Sequence, residues 1–184
     1  PKLKSLPEQV ASPVLKNDYD KFEENNIVNL QVLDFEVEFE NFMILAFDTS
    51  YITAIEESFK KRWNAFDVIL WEKSDALRSI FSFSHGFYVE NYKCLAGSCY
   101  RKDEIIITSS PSECEGYSQR FDSKITFIDS INLLFVLNNF KGEKQFVVQV
   151  IMPPGSKEFE KIDIDFVKFF RRKFSIFSRF IVDI

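Results

Sequence analysis

The sequence predicts an α+β fold: a largely antiparallel sheet with packed helices and a long C-terminal amphipathic helix. Three observations carry that expectation. Ile52, Ile55, Phe59, Trp63 and Phe66 recur at helical spacing. Short β-rich runs bounded by turn residues fill most of 87–152. From Phe166 onward the aromatic residues gather on one half of a helical wheel. A chain of 184 residues, 46% apolar and 28% charged, can bury a core as one domain or as two small ones.

Taken in order, residues 1–26 are polar, carry three Pro and close with Asp18, Asp20, Glu23 and Glu24, so they are expected to form an N-terminal arm. Residues 27–184 are expected to make the globular unit, as one body or as two small subdomains, 27–86 and 87–184. In LDFEVEFE, residues 33–40, apolar Leu33, Phe35, Val37 and Phe39 alternate with acidic residues. That period of two predicts a half-buried strand with an acidic, solvated face. FMILAF, 42–47, would be its more buried hairpin partner. Asp48, Thr49 and Ser50 then offer capping oxygens to the helix that follows.

DVILW, 67–71, reads as helix or strand. SDALRSIFSFSHG, 74–86, reads as a helix with Ser74 as N-cap and Gly86 as its stop. Strands are expected in FYVENYKCL, EIIIT, KITFI, INLLFVLNNF and KQFVVQVIM, with NNFKGEK turning between the last two. Pro153 and Pro154 end the last strand, because neither can donate to a ladder. Between the strands, SSPSECEGYSQRFD, 109–122, is a polar loop of a length that marks a functional or mobile segment.

In the C-terminal helix, Phe166, Phe169, Phe170, Phe174, Phe177 and Phe180 share the apolar half. Asp163 or Asp165 is placed to cap it. The apolar face suits packing across a sheet, a partner interface, or a membrane or nucleic-acid surface. Packing is the expectation, with Phe166, Phe170, Phe174 and Phe177 buried in the chain's own core. Lys168, Arg171, Arg172, Lys173 and Arg179, with no acidic residue among them, make 166–180 a basic stretch in a chain of net charge −5. An acidic body repels phosphate backbones, which counts against nucleic acid, and membrane binding is likewise disfavoured. Lys168, Arg171, Arg172 and Arg179 are therefore expected to be exposed partner-binding residues, meeting an acidic segment such as residues 34–40.

Motifs for chemistry are sparse. Five Gly and the absence of GxGxxG or GxxxxGK[ST] argue against a phosphate-cradling loop. The single histidine, His85, with Cys94, Cys99 and Cys114 has the composition of a Cys₃His zinc site, but Cys-x4-Cys is loose spacing and ordinary thiols are the simpler reading. No cofactor or metal is expected. Three Cys, the absence of a run long and apolar enough to span a membrane, and no apolar leader at the N-terminus predict an intracellular protein, cytoplasmic or nuclear.

The antiparallel run from residue 87, then Met152-Pro153-Pro154-Gly155, then a terminal helix resembles the RWD-type interaction module, with 27–83 as a degenerate first copy. The family's Tyr-Pro-x-x-x-Pro string is not matched, so no functional residue is carried over. The Phe excess, the missing catalytic motifs and the cysteine count point to a non-catalytic protein–protein interaction subunit of an intracellular complex, and the resemblance implies one similar to kinetochore and other scaffold subunits. Its partners would be protein subunits, with no small-molecule substrate. The alternatives are a small enzyme using His85 with a cysteine, or a membrane-surface domain.

Overall fold

The computed structural model describes residues 13–74, 79–82, 86–127 and 129–180. The chain divides into two compact units, Pro1–Val37 and Glu38–Ile184. Helix α1, Pro13–Asp48, is 36 residues long and runs across the boundary. The strand expected over 33–40 and its partner over 42–47 are thus helix. Phe35, Phe39 and Phe42 follow a helical i, i+4, i+7 series, and strict alternation conceals that series because both periods share positions four apart. Burial decides between them. Phe39 is 4% exposed, whereas Val37, which a strand would place on the same face, is 56% exposed.

Helix α2, Tyr51–Trp63, begins where Ser50 Oγ accepts the Thr53 N–H at 3.2 Å and ends at Asn64, in the left-handed region at φ 50°. Strand β1, Asp67–Ser74, resolves the ambiguity of DVILW. β2, Ser79–Ser82, lies where a helix over 74–86 was expected, because pairing with β1 on one side and β3, Tyr88–Val89, on the other overrides local helix propensity.

The long strand expected in FYVENYKCL stops at Val89. A 3₁₀ turn, Glu90–Tyr92, leads into helix α3, Leu95–Lys102. Gly97 is what permits this reversal, since a Cβ there would lie 2.3 Å from the Tyr92 carbonyl oxygen. Strand β4, Ile106–Thr108, follows, then 3₁₀ turns at Pro111–Glu113 and Asp122–Lys124. Residues 124–127 of KITFI are therefore not a strand. Lys124 closes a 3₁₀ turn, and Thr126 Oγ1 donates to the Asp122 carbonyl at 2.8 Å. Strands β5, Ile131–Asn138, and β6, Lys144–Met152, occupy the positions that their β-rich pattern predicts.

All these strands form one antiparallel sheet in the order β3-β2-β1-β6-β5-β4, so strands from both sides of residue 86 share it. Leu70 and Phe135 both pair with Val148, one from each side of β6. Against this face lie the end of α1, α2, and the C-terminal helix α4, Lys161–Phe177. The Phe59 ring sits 5.6 Å from Phe135 of the sheet and 4.8 Å from Phe170 of α4. Phe166, Phe170, Phe174 and Phe177 are all buried in the chain's own core, as the wheel predicts.

The start of α4 is fixed by a capping box in which Glu160 is the N-cap and Asp163 returns a bond to the Glu160 N–H at 2.8 Å. The Trp63 indole N–H donates to the other Asp163 oxygen, also at 2.8 Å. Arg62 lies 3.7 Å above the Phe166 ring and pairs with Glu38. Among the described residues, no helix is long and apolar enough to cross a membrane.

Candidate functional site

The opposite face of the sheet carries α3 and the loop that follows β4. Alternation along the strands turns Ile69, Trp71, Leu134, Val136, Val147 and Ile151 to this side, where they meet Leu95, Ala96 and Cys99 of α3. Two buried amides interrupt that apolar floor. Gln149 accepts the Trp71 indole N–H at 3.0 Å and donates to Asn132 Oδ1 at 3.1 Å, and Asn132 in turn donates to Ser130 Oγ at 3.0 Å. Every link is satisfied within the chain, so this network specifies core packing and leaves no group for a ligand. The floor is filled.

Space opens instead in the loop above it. Besides the surface ion pair of Lys102 and Glu115, two contacts dock the loop onto α3. Gly116, at φ +93°, lets the backbone lie against Ser98, whose Cβ would be 2.6 Å from a Cβ at position 116. Asp122 is the second. Its fully buried carboxylate accepts the Ser118 N–H at 2.7 Å and the Leu95 N–H at 3.2 Å, joining the loop to the first turn of α3. Burial pushes the Asp122 carboxyl up to about 6, outweighing the two backbone bonds that pull it down.

Between the two limbs of this loop lies a cleft of about 840 Å³. Ser109, Ser110, Ser112, Ser123 and Thr126 line it, and the rings of Tyr117 and Phe127 add apolar surface. Its charged groups are mixed in sign: Glu113 and Asp129 against Lys124. Ser123 and Thr126 already donate to backbone carbonyls, of Gln119 and Asp122, which fixes their hydroxyls and leaves lone pairs free to accept. The sequence marks the first limb through its polar length, but the second limb, 123–129, lies partly in a segment expected to be strand.

Of the residues expected to bind a partner, Lys168, Arg171 and Arg172 lie on α4 and Arg179 in the 3₁₀ turn after it. Lys168 and Arg172 are exposed, as is Arg179, whose guanidinium sits 5.6 Å from the Phe140 ring. Arg171 departs from the expectation. It is half-buried, and its Nη2 pairs with Asp103 Oδ1 at 2.8 Å, because α3 ends at Asp103 in a left-handed cap beside α4. The structure brings Lys168, Arg171 and Arg172 together at one crevice with the β5–β6 turn, and leaves Arg179 outside it. As for the acidic segment proposed to meet them, its Glu38 pairs with Arg62.

His85 lies outside the described residues. Cys94 and Cys99 are buried, and burial pushes both thiols up to about 12, far from the thiolate that a nucleophile or a zinc ligand needs. Cys114 is half-buried in the loop. Among the described residues, no three His, Cys, Asp or Glu side chains are grouped as a metal site.

No family model matches the chain, and no curated protein matches it. Solved structures do. The GAF domain of a phosphoenolpyruvate-protein phosphotransferase from Coxiella burnetii superposes with TM-score 0.64 at 11% identity, over 78% of this chain and 92% of that one. A protein described as a GAF sensor, from Burkholderia vietnamiensis, gives 0.59 at 10% identity, over 79% and 93%. A type II free methionine-R-sulfoxide reductase from Thermoplasma acidophilum gives 0.55 at 12% identity, over 73% and 94%.

The fold is therefore GAF-like, and the resemblance to RWD-type modules is corrected. Element order misled because a run of antiparallel strands followed by a terminal helix is common to both, whereas pairing of β1 with β6 is visible only in three dimensions. The scaffold-subunit function, with protein partners and no small molecule, is corrected as well, since the neighbours of this fold include a protein described as a sensor and a free methionine-R-sulfoxide reductase. Nothing in these neighbours supports an enzyme built on His85 and a cysteine, or a membrane-surface domain.

Proposed function

We propose that this chain is a regulatory domain that binds a small polar molecule in the cleft between the limbs of the 109–129 loop, without transforming it. The cleft itself carries the reading, since it is a roomy concavity with hydroxyl and carboxylate groups around two aromatic rings. Two proteins of similar fold give it context: one described as a sensor, the other named for acting on a free amino-acid derivative. One lysine among two carboxylates suits a neutral or zwitterionic ligand better than a strongly anionic one. The raised thiols of Cys94 and Cys99 favour binding over thiol chemistry. Three unpaired cysteines suit a reducing compartment, so we place the domain inside the cell.

A calorimetric screen of free amino acids, their derivatives and nucleosides tests this. At least one compound is expected to bind saturably, with affinity falling at least about tenfold, ~1.4 kcal/mol, in both Lys124→Ala and Phe127→Ala. Lys124 is exposed, so its variant should keep its melting temperature, whereas Phe127 meets the Phe66 ring edge-on at 4.8 Å and its variant should lose no more than roughly 0.5–1.5 kcal/mol with that pair. Binding that is indifferent to both substitutions would remove the cleft from consideration.

A further inference from the structure

We infer that the crevice between α4 and the β5–β6 turn is a second binding site, for a ligand carrying a phosphate or diphosphate group. It lies on the helical face of the sheet, away from the 109–129 cleft, and does not rest on that cleft having a ligand. Four residues of one face of α4 line it, Lys168, Arg171, Arg172 and Ser175, with Asn138 and Gly142 from the turn. Its volume is about 330 Å³, and none of the residues lining it is acidic.

The walls are held before any ligand arrives. Ser175 Oγ donates to the Asn139 carbonyl at 3.1 Å, tying the turn to α4. Asn139 Oδ1 accepts the N–H groups of Lys141 and Glu143 at 2.9 and 3.0 Å, which fixes the turn itself. The one carboxylate in the turn, Glu143, is engaged by the Asn139 amide at 2.9 Å. Asp103 holds the Arg171 guanidinium in place and offsets its charge. Among the described residues, Lys168 and Arg172 have no ion pair, so the crevice keeps a net positive charge at its mouth.

The cations of Lys168 and Arg172, beside the anchored Arg171, match the oxygens of a phosphate, to which a guanidinium can bond through two N–H groups at once. Gly142, at φ +78°, has nothing within 4 Å of where a Cβ would stand, so the turn leaves the mouth open.

Titration of the whole chain with inorganic pyrophosphate at low salt tests the site. Saturable binding is expected, weakened at least about tenfold by Lys168→Glu with Arg172→Glu and changed less than about twofold by Arg179→Glu. Vesicles with and without a phosphorylated inositol headgroup then separate the sources. Binding to pyrophosphate alone assigns a soluble phosphate ester, and binding to pyrophosphate and only to the phosphoinositide vesicles assigns a lipid headgroup. No binding of pyrophosphate overturns the site, as does binding that survives the double charge reversal. Attachment to any acidic vesicle without affinity for pyrophosphate also overturns it, since that is diffuse surface charge.

Discussion

Phe170→Ala should remove about 3–5 kcal/mol of stability, a large share of the 5–15 kcal/mol that holds a typical domain folded. Phe170 is 1% exposed and central to the aromatic layer. Its ring lies 5.2 Å from Phe39, 5.0 Å from Phe42 and 4.8 Å from Phe59, all edge-on, and it stacks on Phe174 at 6.2 Å. Truncation therefore opens a cavity among three helices, and each lost edge-on pair adds roughly 0.5–1.5 kcal/mol beyond area alone. Urea unfolding should show a lower midpoint with an unchanged slope. Phe180→Ala is the control, because Phe180 is 64% exposed and should cost less than about 0.5 kcal/mol. Equal effects in the two variants would mean that α4 does not pack as described.

Asp122→Ala should be the next most damaging change, by about 2–6 kcal/mol, because it strands the Ser118 and Leu95 N–H groups at roughly 1–3 kcal/mol each and releases the loop from α3. The pH dependence has a definite sign. The carboxyl rises from 3.8 to about 6 on folding, so the folded state favours the protonated form. The stabilisation linked to this protonation is fully present below about pH 4 and is lost as the pH rises through about 6. Stability relative to Asp122→Asn should accordingly fall between those values. A carbon-detected titration of the Asp122 carboxyl should have its midpoint near 6, and a midpoint near the ordinary 3.8 would show that the backbone bonds cancel the effect of burial.

Local pattern sufficed where one element answers to one period. KQFVVQVIM is β6 residue for residue, and the helix after Ser50 starts at its cap. It failed where two periods coincide, as at Phe35 and Phe39 in α1, and where long-range pairing outweighs propensity, as in β2. Helix α3 was hidden because its brief apolar run follows a β-rich stretch, although Arg101 and Lys102 in the last turn were a usable sign of a helix end.

The polar length of 109–122 marked half of the cleft. The role of Asp122 was not legible, since its partner Leu95 is distant in sequence and an aspartate in a polar loop ordinarily reads as solvated. The wheel placed Lys168, Arg171 and Arg172 together correctly, but no sequence rule revealed that Asp103 would claim Arg171.

A neutral or zwitterionic ligand is expected to occupy the 109–129 loop, leaving the crevice on the helical face to phosphate-bearing ligands. Backbone amide shift mapping, with the tightest compound from the calorimetric screen added to the whole chain, tests it most directly. The shifts should concentrate at residues 109–113 and 123–129 and extend to Leu95 through Asp122, leaving the amides of 168–175 in place. Shifts confined to α2 and α4, with the loop unmoved, would contradict it.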